Sequence, residues 1–144
     1  AAEWIVSDDT VMHLATLEAL ISPESEVHLF RTIAKKYFIC WGDMSQRAPG
    51  MTCAKYVPSL LDDGSGWDKI PFDDHASGCG AAMRSMCIGL KFPKWEQLNE
   101  LIAASLECGR MSHHCGVGFL GSVTSAAFTS WAIQSNGLHC SLNM

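Results

Sequence analysis

The sequence predicts an all-α fold, and three features support this prediction. Apolar residues recur with helical spacing along most of the chain, no segment shows the alternation of a half-buried strand, and helix-capping residues precede several periodic segments. With 144 residues and a mass of 15.7 kDa, the chain is long enough for one domain with a core. We therefore predict a single helical domain over residues 1–144.

The first two helices are predicted from capping signals and apolar stripes. Helix one follows Ser7-Asp8-Asp9-Thr10 and runs to Ile21. The segment Ser22-Pro23-Glu24 ends it and begins the second helix, with Ser as N-cap and Pro at the first helical position. An apolar stripe on the second helix runs from Val27 to Trp41. The Pro- and Gly-rich stretch 42–75 is predicted to be a long functional loop.

Three more helices are predicted in the second half of the chain. One starts near Gly80 and continues through Ile88, and the next begins after Pro93 with Trp95, Leu101 and Ser105 among its inward residues. The last covers Leu120 to about Ile133 and ends at Gly137. In this last helix, small residues would permit close helix contact while bulky residues fill the gaps; they are Gly118, Gly121, Ser122, Ser125 and Ala126, and Val123, Phe128 and Trp131.

Composition excludes several classes of protein. Ten basic and fifteen acidic residues give a net charge of −5, which argues against nucleic-acid binding. The most apolar stretch, residues 116–133, is interrupted by hydroxyl side chains, so no membrane span is predicted. The seven cysteines are odd in number and form no C-x-x-C, and no signal peptide is evident. We therefore expect free thiols in a reducing compartment, the cytoplasm.

Three segments contain residues that could carry chemistry, and each has two interpretations. The acids of Ser7-Asp8-Asp9-Thr10 either cap a helix or offer oxygen ligands to a hard cation such as Mg²⁺. The turn 77–84 (SGCGAAMR) either binds phosphate through backbone N–H groups or is only a tight turn. The segment 108–115 reads C-x₄-H-H-C, but adjacent ligands are unsuited to one zinc ion, so a histidine at a helix end is the simpler interpretation.

Five segments occur in a set order: residues 4–16 (WIVSDDTVMHLAT), 47–50 (RAPG), 78–90 (GCGAAMRSMCIGL), 109–114 (GRMSHH) and 118–121 (GFLG). Together they resemble the ADP-ribosylhydrolase family, and specifically its ADP-ribosylarginine hydrolase branch, over nearly the whole chain. The resemblance implies an orthogonal multi-helix bundle that holds two Mg²⁺ ions between loops. Because an N-terminal or central portion of the family pattern is present, we expect the bundle to be incomplete.

The resemblance also implies roles for individual residues. Ser7, Asp8 and Asp9 would be metal ligands, and Asp8 and Asp9 would be catalytic through the metals that they hold. The loop from Asp74 to Gly80 would wrap the diphosphate and ribose of ADP-ribose, with Phe72 just before it and His113 reaching the bound ligand. The predicted substrate-binding residues are thus Phe72, Asp74, His75, Ala76, Ser77, Gly78, Cys79, Gly80 and His113.

Parts of the family pattern do not occur in this sequence. Its late acidic D-x-D-[ST] motif and its early Gly-Asp-Ala motif are absent, and Cys115-Gly116 stands where similar members have a third histidine and a proline. The chain therefore carries one half of the expected metal site.

The function implied is Mg²⁺-dependent hydrolysis of the N-glycosidic bond between ADP-ribose and arginine on proteins. The partners would be ADP-ribose and ADP-ribosylated protein, with no nucleic acid and no membrane, and other protein chains would cover bare apolar helix faces. Two alternatives stay open: an inactive family derivative with a structural or interaction role, and an ADP-ribose binder without hydrolysis. Whether this polypeptide alone is an enzyme depends on the missing half-site.

Overall fold

The computed structural model describes residues 4–141 and their side chains, except those of residues 26 and 136–141. Within residues 4–141 all regular secondary structure is helical, which confirms the predicted fold class. The α-helices of this range are α1 (Asp8–Ile21), α2 (Ser25–Trp41), α3 (Met51–Tyr56), α4 (Met86–Lys91), α5 (Leu98–Arg110) and α6 (Gly116–Ser141). Short 3₁₀ turns lie at Val57–Leu60, Trp67–Lys69 and Trp95–Gln97.

Helices α1 and α2 form a helical hairpin around fully buried side chains. Met12 and Ala19 of α1 and Tyr37 of α2 are inaccessible to solvent. The hydroxyl oxygens of Thr16 and Tyr37 lie 2.6 Å apart across the pair, so these two buried polar groups are hydrogen-bonded to each other. The hairpin fixes the N-terminus of α1, where the two adjacent acids lie.

The start of α2 differs from the prediction. The helix begins at Ser25 rather than at Pro23, and it is kinked at His28, whose φ and ψ are −134° and 45°. Val27 precedes the kink and is 77% exposed, so its predicted place on the buried stripe is wrong. Ile33 lies after the kink and is fully buried, as predicted. Because of the kink, the first turn does not continue the apolar stripe of the rest of the helix.

Helix α6 packs closely against α4 and α5 through small residues. A Cβ built on Gly89 of α4 would lie 2.2 Å from the carbonyl oxygen of Ala126, so only glycine permits this approach. The Ser122 hydroxyl donates to the carbonyl of Ser105 at 2.6 Å and lies 2.5 Å from the hydroxyl of Ser85. The predicted close contact through Ser122 and Ala126, both fully buried, is confirmed.

The bulky residues of α6 face outward, contrary to the prediction. Phe128 and Trp131 are 62% and 60% exposed, and with Trp95, which is 67% exposed, they line an apolar groove of about 410 Å³. Leu101 and Ser105 of α5 are buried as predicted, whereas Trp95 is not. Because α6 is apolar around much of its circumference, the spacing of its apolar residues does not reveal which face of the helix is buried.

Helix α6 also meets the length and composition test for a membrane span. Residues Gly116–Ser135 have a mean hydropathy of 1.2, and 22% of that stretch is buried within the described chain. The sequence analysis predicted no span, because hydroxyl residues interrupt this stretch. Core helices of soluble proteins pass the same test, and one face of this helix packs on α4 and α5.

Three predicted boundaries are also wrong. Residues 80–84 form turns rather than helix, and α4 begins only at Met86. The predicted long loop over 42–75 contains α3 and two of the 3₁₀ turns. Helix α6 begins at Gly116 rather than Leu120, and it continues through Gly137 to Ser141. Residues 74–80, called the glycine loop below, lead into these turns.

Candidate functional site

A cavity of about 510 Å³ lies at the N-terminus of α1, beside the start of α3. Residues that are far apart in the sequence meet there. The predicted site residues that line the cavity are Asp8, Asp9, His75, Ser77, Gly78, Cys79, Gly80 and His113. The further lining residues are Ala48, Gly50, Met51, Thr52, Cys53 and Met83. The cavity therefore brings together the acidic segment, the glycine loop and the histidine.

The two acids occupy the first turn of α1. Ser7 is the extended N-cap residue, yet its hydroxyl donates to Asp9 Oδ2 at 3.1 Å and makes no capping bond in the described chain. Partial burial, together with the charge of Asp9, raises the pKa of Asp8 above its ordinary value. Ser7 itself does not line the cavity, and it acts on Asp9 from outside. Two neighbouring carboxylates are thus held at one wall of the cavity.

Arg47 fixes the segment that leads into α1. Its guanidinium donates to the carbonyl of Val6 at 2.7 Å and to the carbonyl and carboxylate of Asp43 at 2.6 and 2.7 Å. The carbonyl of Arg47 accepts the backbone N–H of Asp8 at 3.2 Å. Ala48 follows at the cavity wall with a φ of 53°, a conformation that alanine rarely adopts. The RAPG segment therefore acts as a brace for the acidic turn.

The glycine loop is anchored by Asp73, a residue that sequence analysis did not single out. Its carboxylate accepts hydrogen bonds from Lys55 Nζ at 2.8 Å, from the Tyr56 hydroxyl and from the backbone N–H of His75 at 2.9 Å. These donors, Lys55 foremost, hold the pKa of Asp73 well below its usual range. No sequence signal distinguished Asp73 from the other acids, because its partners lie on α3.

Three of the predicted substrate-binding residues do not line the cavity. Asp74 is exposed outside it. Phe72 is 59% exposed, and its ring centroid lies 5.5 Å from that of His114 in a T-shaped arrangement. Ala76 is buried, and its carbonyl accepts a hydrogen bond from Cys115 Sγ at 3.1 Å. The structure thus gives Ala76 a packing position, and it leaves Phe72 and Asp74 at the edge of the loop.

Close contact with His113 determines the course of the loop. Gly78 has a φ of 120°, which L side chains rarely adopt. A Cβ built on Gly80 would lie 2.5 Å from Cε1 of His113 and 2.9 Å from Sγ of Cys53. Position 80 therefore requires glycine, because any side chain there would overlap the histidine ring.

His113 lies on the floor of the cavity and is only 2% exposed. Its Nδ1 is 2.8 Å from the Ser112 hydroxyl. Burial, helped by the positive charge of Arg84, lowers the pKa of His113 to about 4. The imidazole is therefore neutral at pH 7. A neutral ring has one nitrogen that donates and one that accepts, so it can hydrogen-bond a hydroxyl without adding charge.

Arg84 is a fully buried cation close to the cavity. Its Nη2 donates to the carbonyl of Cys108 at 2.6 Å, and its guanidinium carbon lies 4.4 Å from the centre of the Tyr37 ring. Its Nε and Nη1 have no hydrogen-bond partner among the residues that the structure describes. Sequence analysis included Arg84 in the glycine turn but gave it no role. Its positive charge acts to lower the pKa of the nearby Cys40 and Cys53 thiols and of His113.

Side chains of the segment 108–115, for which the zinc interpretation was considered, make hydrogen bonds within the described chain. His114 is 2.7 Å from the carbonyl of Ile70 through Nδ1, and its Nε2 accepts from Arg110 at 3.2 Å. Cys108 Sγ lies 2.7 Å from the Tyr37 hydroxyl. These ligand atoms already have protein partners.

Comparison with known proteins identifies the family of this chain. A sequence model described as ADP-ribosylglycohydrolase matches residues 2–142. The chain belongs to the ADP-ribosylglycohydrolase family. It is 43% identical over 140 residues to "ADP-ribosylhydrolase ARH1" of Dictyostelium discoideum, an alignment that covers 92% of this chain and 36% of that protein. It is 33% identical over 137 residues to "Putative ADP-ribosyl glycohydrolase L444" of Acanthamoeba polyphaga mimivirus, covering 91% of this chain and 26% of that protein.

Membership in this family agrees with the all-α fold and with the family resemblance of the sequence. The chain spans about a third of the length of the first relative and about a quarter of the second. Most of the length of an ADP-ribosylglycohydrolase relative therefore has no counterpart in the 144 residues.

The oxygen donors at the cavity are chemically suited to Mg²⁺ but too few to enclose it. Mg²⁺ prefers six oxygen ligands and keeps several waters, and Asp8 and Asp9 offer two carboxylates side by side. Partial burial, followed by the charge of Asp9, raises the pKa of Asp8, and a divalent cation would offset the second of these effects. Among the described residues, no group of three or more His, Cys, Asp or Glu side chains has metal-site geometry. The chain can therefore hold one side of such an ion.

Proposed function

We propose that this chain forms part of a Mg²⁺-dependent hydrolase that removes ADP-ribose from ADP-ribosylated arginine on proteins. The observation that carries the proposal is the meeting of Asp8, Asp9, the glycine loop and His113 at one cavity. In the reaction, the bond between the anomeric ribose carbon and a guanidinium nitrogen breaks. A water oxygen bonds to that carbon and a proton goes to the nitrogen, which yields ADP-ribose and arginine. The rest of a longer protein would supply the remaining metal ligands.

The glycine loop supports binding of the diphosphate. Gly78 carries no side chain and is exposed at the cavity wall, so phosphate oxygens can approach the backbone N–H groups of the loop. Helix α4 begins at Met86, so the contribution comes from the loop itself rather than from a helix N-terminus. The anchoring of Asp73 by Lys55 holds the loop in place before the ligand arrives.

His113 supports positioning of the ribose. Because its imidazole is neutral at pH 7, it can donate to or accept from a ribose hydroxyl through the nitrogen that Ser112 does not engage. Asp8 and Asp9 would hold Mg²⁺, with Ser7 orienting the carboxylate of Asp9 at 3.1 Å. When bound, Mg²⁺ supplies charge that orients the ribose hydroxyls and lowers the pKa of a water.

The test is ADP-ribose affinity measured by titration calorimetry with and without Mg²⁺. Replacing Asp8 and Asp9 by Asn removes two negative charges, so we expect Mg²⁺-dependent binding and Mg²⁺-dependent thermal stabilisation to be lost. A matched control replaces Asp62 and Asp68, two exposed acids away from the cavity, by Asn. Unchanged Mg²⁺ dependence in the Asp8 and Asp9 variant would contradict the metal assignment.

A second candidate is ADP-ribose binding without hydrolysis. Five residues of the glycine loop line the cavity together with His113, whereas the acidic side provides only two carboxylates. This candidate predicts ADP-ribose affinity that is independent of Mg²⁺ and of Asp8 and Asp9. If ADP-ribose does not bind under either condition, both candidates are wrong, and a structural or interaction role becomes the better explanation.

A further inference from the structure

Two cysteines line the candidate cavity from different segments of the chain. Cys53 lies on α3 and is 2% exposed, whereas Cys79 lies in the glycine loop and is exposed at the cavity wall. The other cysteines whose side chains the structure describes do not line this cavity; they are Cys40, Cys87, Cys108 and Cys115. A buried and an exposed thiol therefore meet at one site, and the proposed reaction uses neither sulfur atom.

The structure holds the start of α3 beside the glycine loop. The Thr52 hydroxyl donates to the carbonyl of Ser77 at 3.2 Å. A Cβ built on Gly80 would lie 2.9 Å from Sγ of Cys53. Because consecutive Cα atoms are about 3.8 Å apart, Sγ of Cys53 lies within roughly 8 Å of the Cα atom of Cys79. The two cysteines are thus neighbours in space, although they are well separated in the sequence.

A local movement of the glycine loop can bring Cys79 to Cys53. A disulfide requires Cα atoms within about 7 Å of each other and Cβ atoms at about 4 Å. Cys79 follows Gly78, whose φ is 120° and whose missing side chain lets the backbone rotate at low steric cost. Cys115 is less well placed, because its Sγ donates to the carbonyl of Ala76 at 3.1 Å and does not line the cavity.

The environments of the two thiols suit a two-step oxidation. Cys79 is open to solvent, so a peroxide reaches it first and converts it to a sulfenic acid. Burial raises the pKa of the Cys53 thiol above its ordinary value; the charge of Arg84 opposes the rise, and the charge of Cys79 adds to it. Cys53 therefore stays protonated and shielded from the peroxide until a sulfenic acid forms beside it.

We propose that Cys53 and Cys79 form a reversible disulfide that closes the candidate cavity when a peroxide is present. In the first step the Cys79 sulfur bonds to one peroxide oxygen, the O–O bond breaks, and the thiol proton leaves with the other oxygen as water. In the second step the Cys53 sulfur bonds to that of Cys79, the S–O bond breaks, and the Cys53 proton leaves with the hydroxyl as a second water. The bond ties the glycine loop to α3, so ADP-ribose loses access to the cavity; this consequence rests on the proposed function.

Peptide mapping of the full-length protein tests the bond directly. Trypsin releases residues 48–55 and 70–84 as peptides with one cysteine each, Cys53 and Cys79. After treatment with hydrogen peroxide and alkylation of the remaining thiols, we expect these two peptides to be linked, and we expect dithiothreitol to separate them. Because the mapping uses the wild-type protein, it does not depend on the folding of a variant.

Two variants test the identity and the order of the reacting thiols. In Cys53→Ser the sulfenic acid at Cys79 has no thiol to resolve it, so dimedone should label peptide 70–84 after peroxide treatment. Cys115→Ser is the matched control, because Cys115 contacts the glycine loop at Ala76 without lining the cavity, and it should form the linked peptide as wild type does. Absence of the linked peptide from the oxidised wild-type protein, or linkage of Cys79 to another cysteine, would overturn the inference.

ADP-ribose affinity, measured by calorimetry before and after oxidation, tests the consequence for the cavity. We expect oxidation to lower the affinity of the wild-type protein at least about tenfold, because the tethered loop no longer has its binding conformation, and dithiothreitol to restore it. If the linked peptide forms and the affinity is unchanged, the bond does not close the cavity and the inference is wrong. If the reduced protein does not bind ADP-ribose, the proposed function fails, and the peptide map still decides whether the disulfide forms.

Discussion

Burial of His113 makes the stability of the fold depend on pH in the mildly acidic range. In the folded chain the pKa of His113 lies at about 4, below its ordinary value of 6.5, because the ring is desolvated and faces the charge of Arg84. In the unfolded chain the ring is solvated and binds a proton below pH 6.5. Between these two values the unfolded state therefore holds one more proton than the folded state, and acid favours unfolding.

The magnitude follows from the interval between the two pKa values. The stabilising effect of a neutral His113 is fully present above pH 6.5 and is lost as the pH falls toward 4. Integrated over that interval, the loss amounts to about 3 kcal/mol, with a slope of at most about 1.4 kcal/mol per pH unit. A small domain has an unfolding free energy of roughly 5–15 kcal/mol, so the effect is large enough to measure.

The assay is urea unfolding of wild type and His113→Gln at several pH values from 7.5 to about 4. Glutamine keeps hydrogen-bonding capacity and does not titrate, so the difference between the two free energies should shrink by about 3 kcal/mol on acidification. Carboxylates such as Asp73 contribute equally to both proteins and cancel. His75→Gln, at an exposed position, is the matched control and should follow wild type. Parallel pH profiles for wild type and His113→Gln would refute the reasoning.

Two glycine substitutions test the close contacts of the fold. Gly80→Ala places a methyl group 2.5 Å from Cε1 of His113, so the loop must shift and ADP-ribose affinity should fall at least about tenfold by calorimetry. Gly116→Ala, which has no atom within 4 Å of the new Cβ, is its control, and equal affinity of the two variants would contradict the contact. Gly89→Ala meets the Ala126 carbonyl at 2.2 Å and should lower the free energy of unfolding by about 1–3 kcal/mol in urea. Full stability there would mean that α4 and α6 are less tightly packed than described.

The parts of the fold that were predictable from sequence are those determined by local pattern. Helical spacing and the signals around Ser22 gave α1 and most of α2, because side-chain periodicity and capping act within a few residues. The turns at 80–84 were predicted as helix, since nothing local reveals that Gly80 must pass over His113. The close approach of Gly80 to His113 is a tertiary contact, which residue periodicity does not report.

The residues of the candidate site also fall into those that a local pattern reveals and those whose role depends on distant partners. The acidic pair and the glycine loop were recognisable as a set, and the structure brings most of them to one cavity. Asp73 and Arg84 were missed because their roles depend on distant partners. Asp73 binds Lys55 and Tyr56 on α3, and Arg84 is held between Tyr37 and the carbonyl of Cys108. The role of such a side chain can be assigned only when the structure shows which residues it contacts.

The glycine loop also contains a chemical handle. Cys79 is exposed at the cavity wall, whereas the other cysteines that the structure describes are buried or partly buried. A thiol reagent such as iodoacetamide would therefore label Cys79 first, and labelling would slow when a ligand covers the loop. Peptide mass spectrometry of the modified chain thus becomes an occupancy sensor for the cavity. It needs no assumption about the reaction, so it allows unbiased screening of nucleotides against the protein.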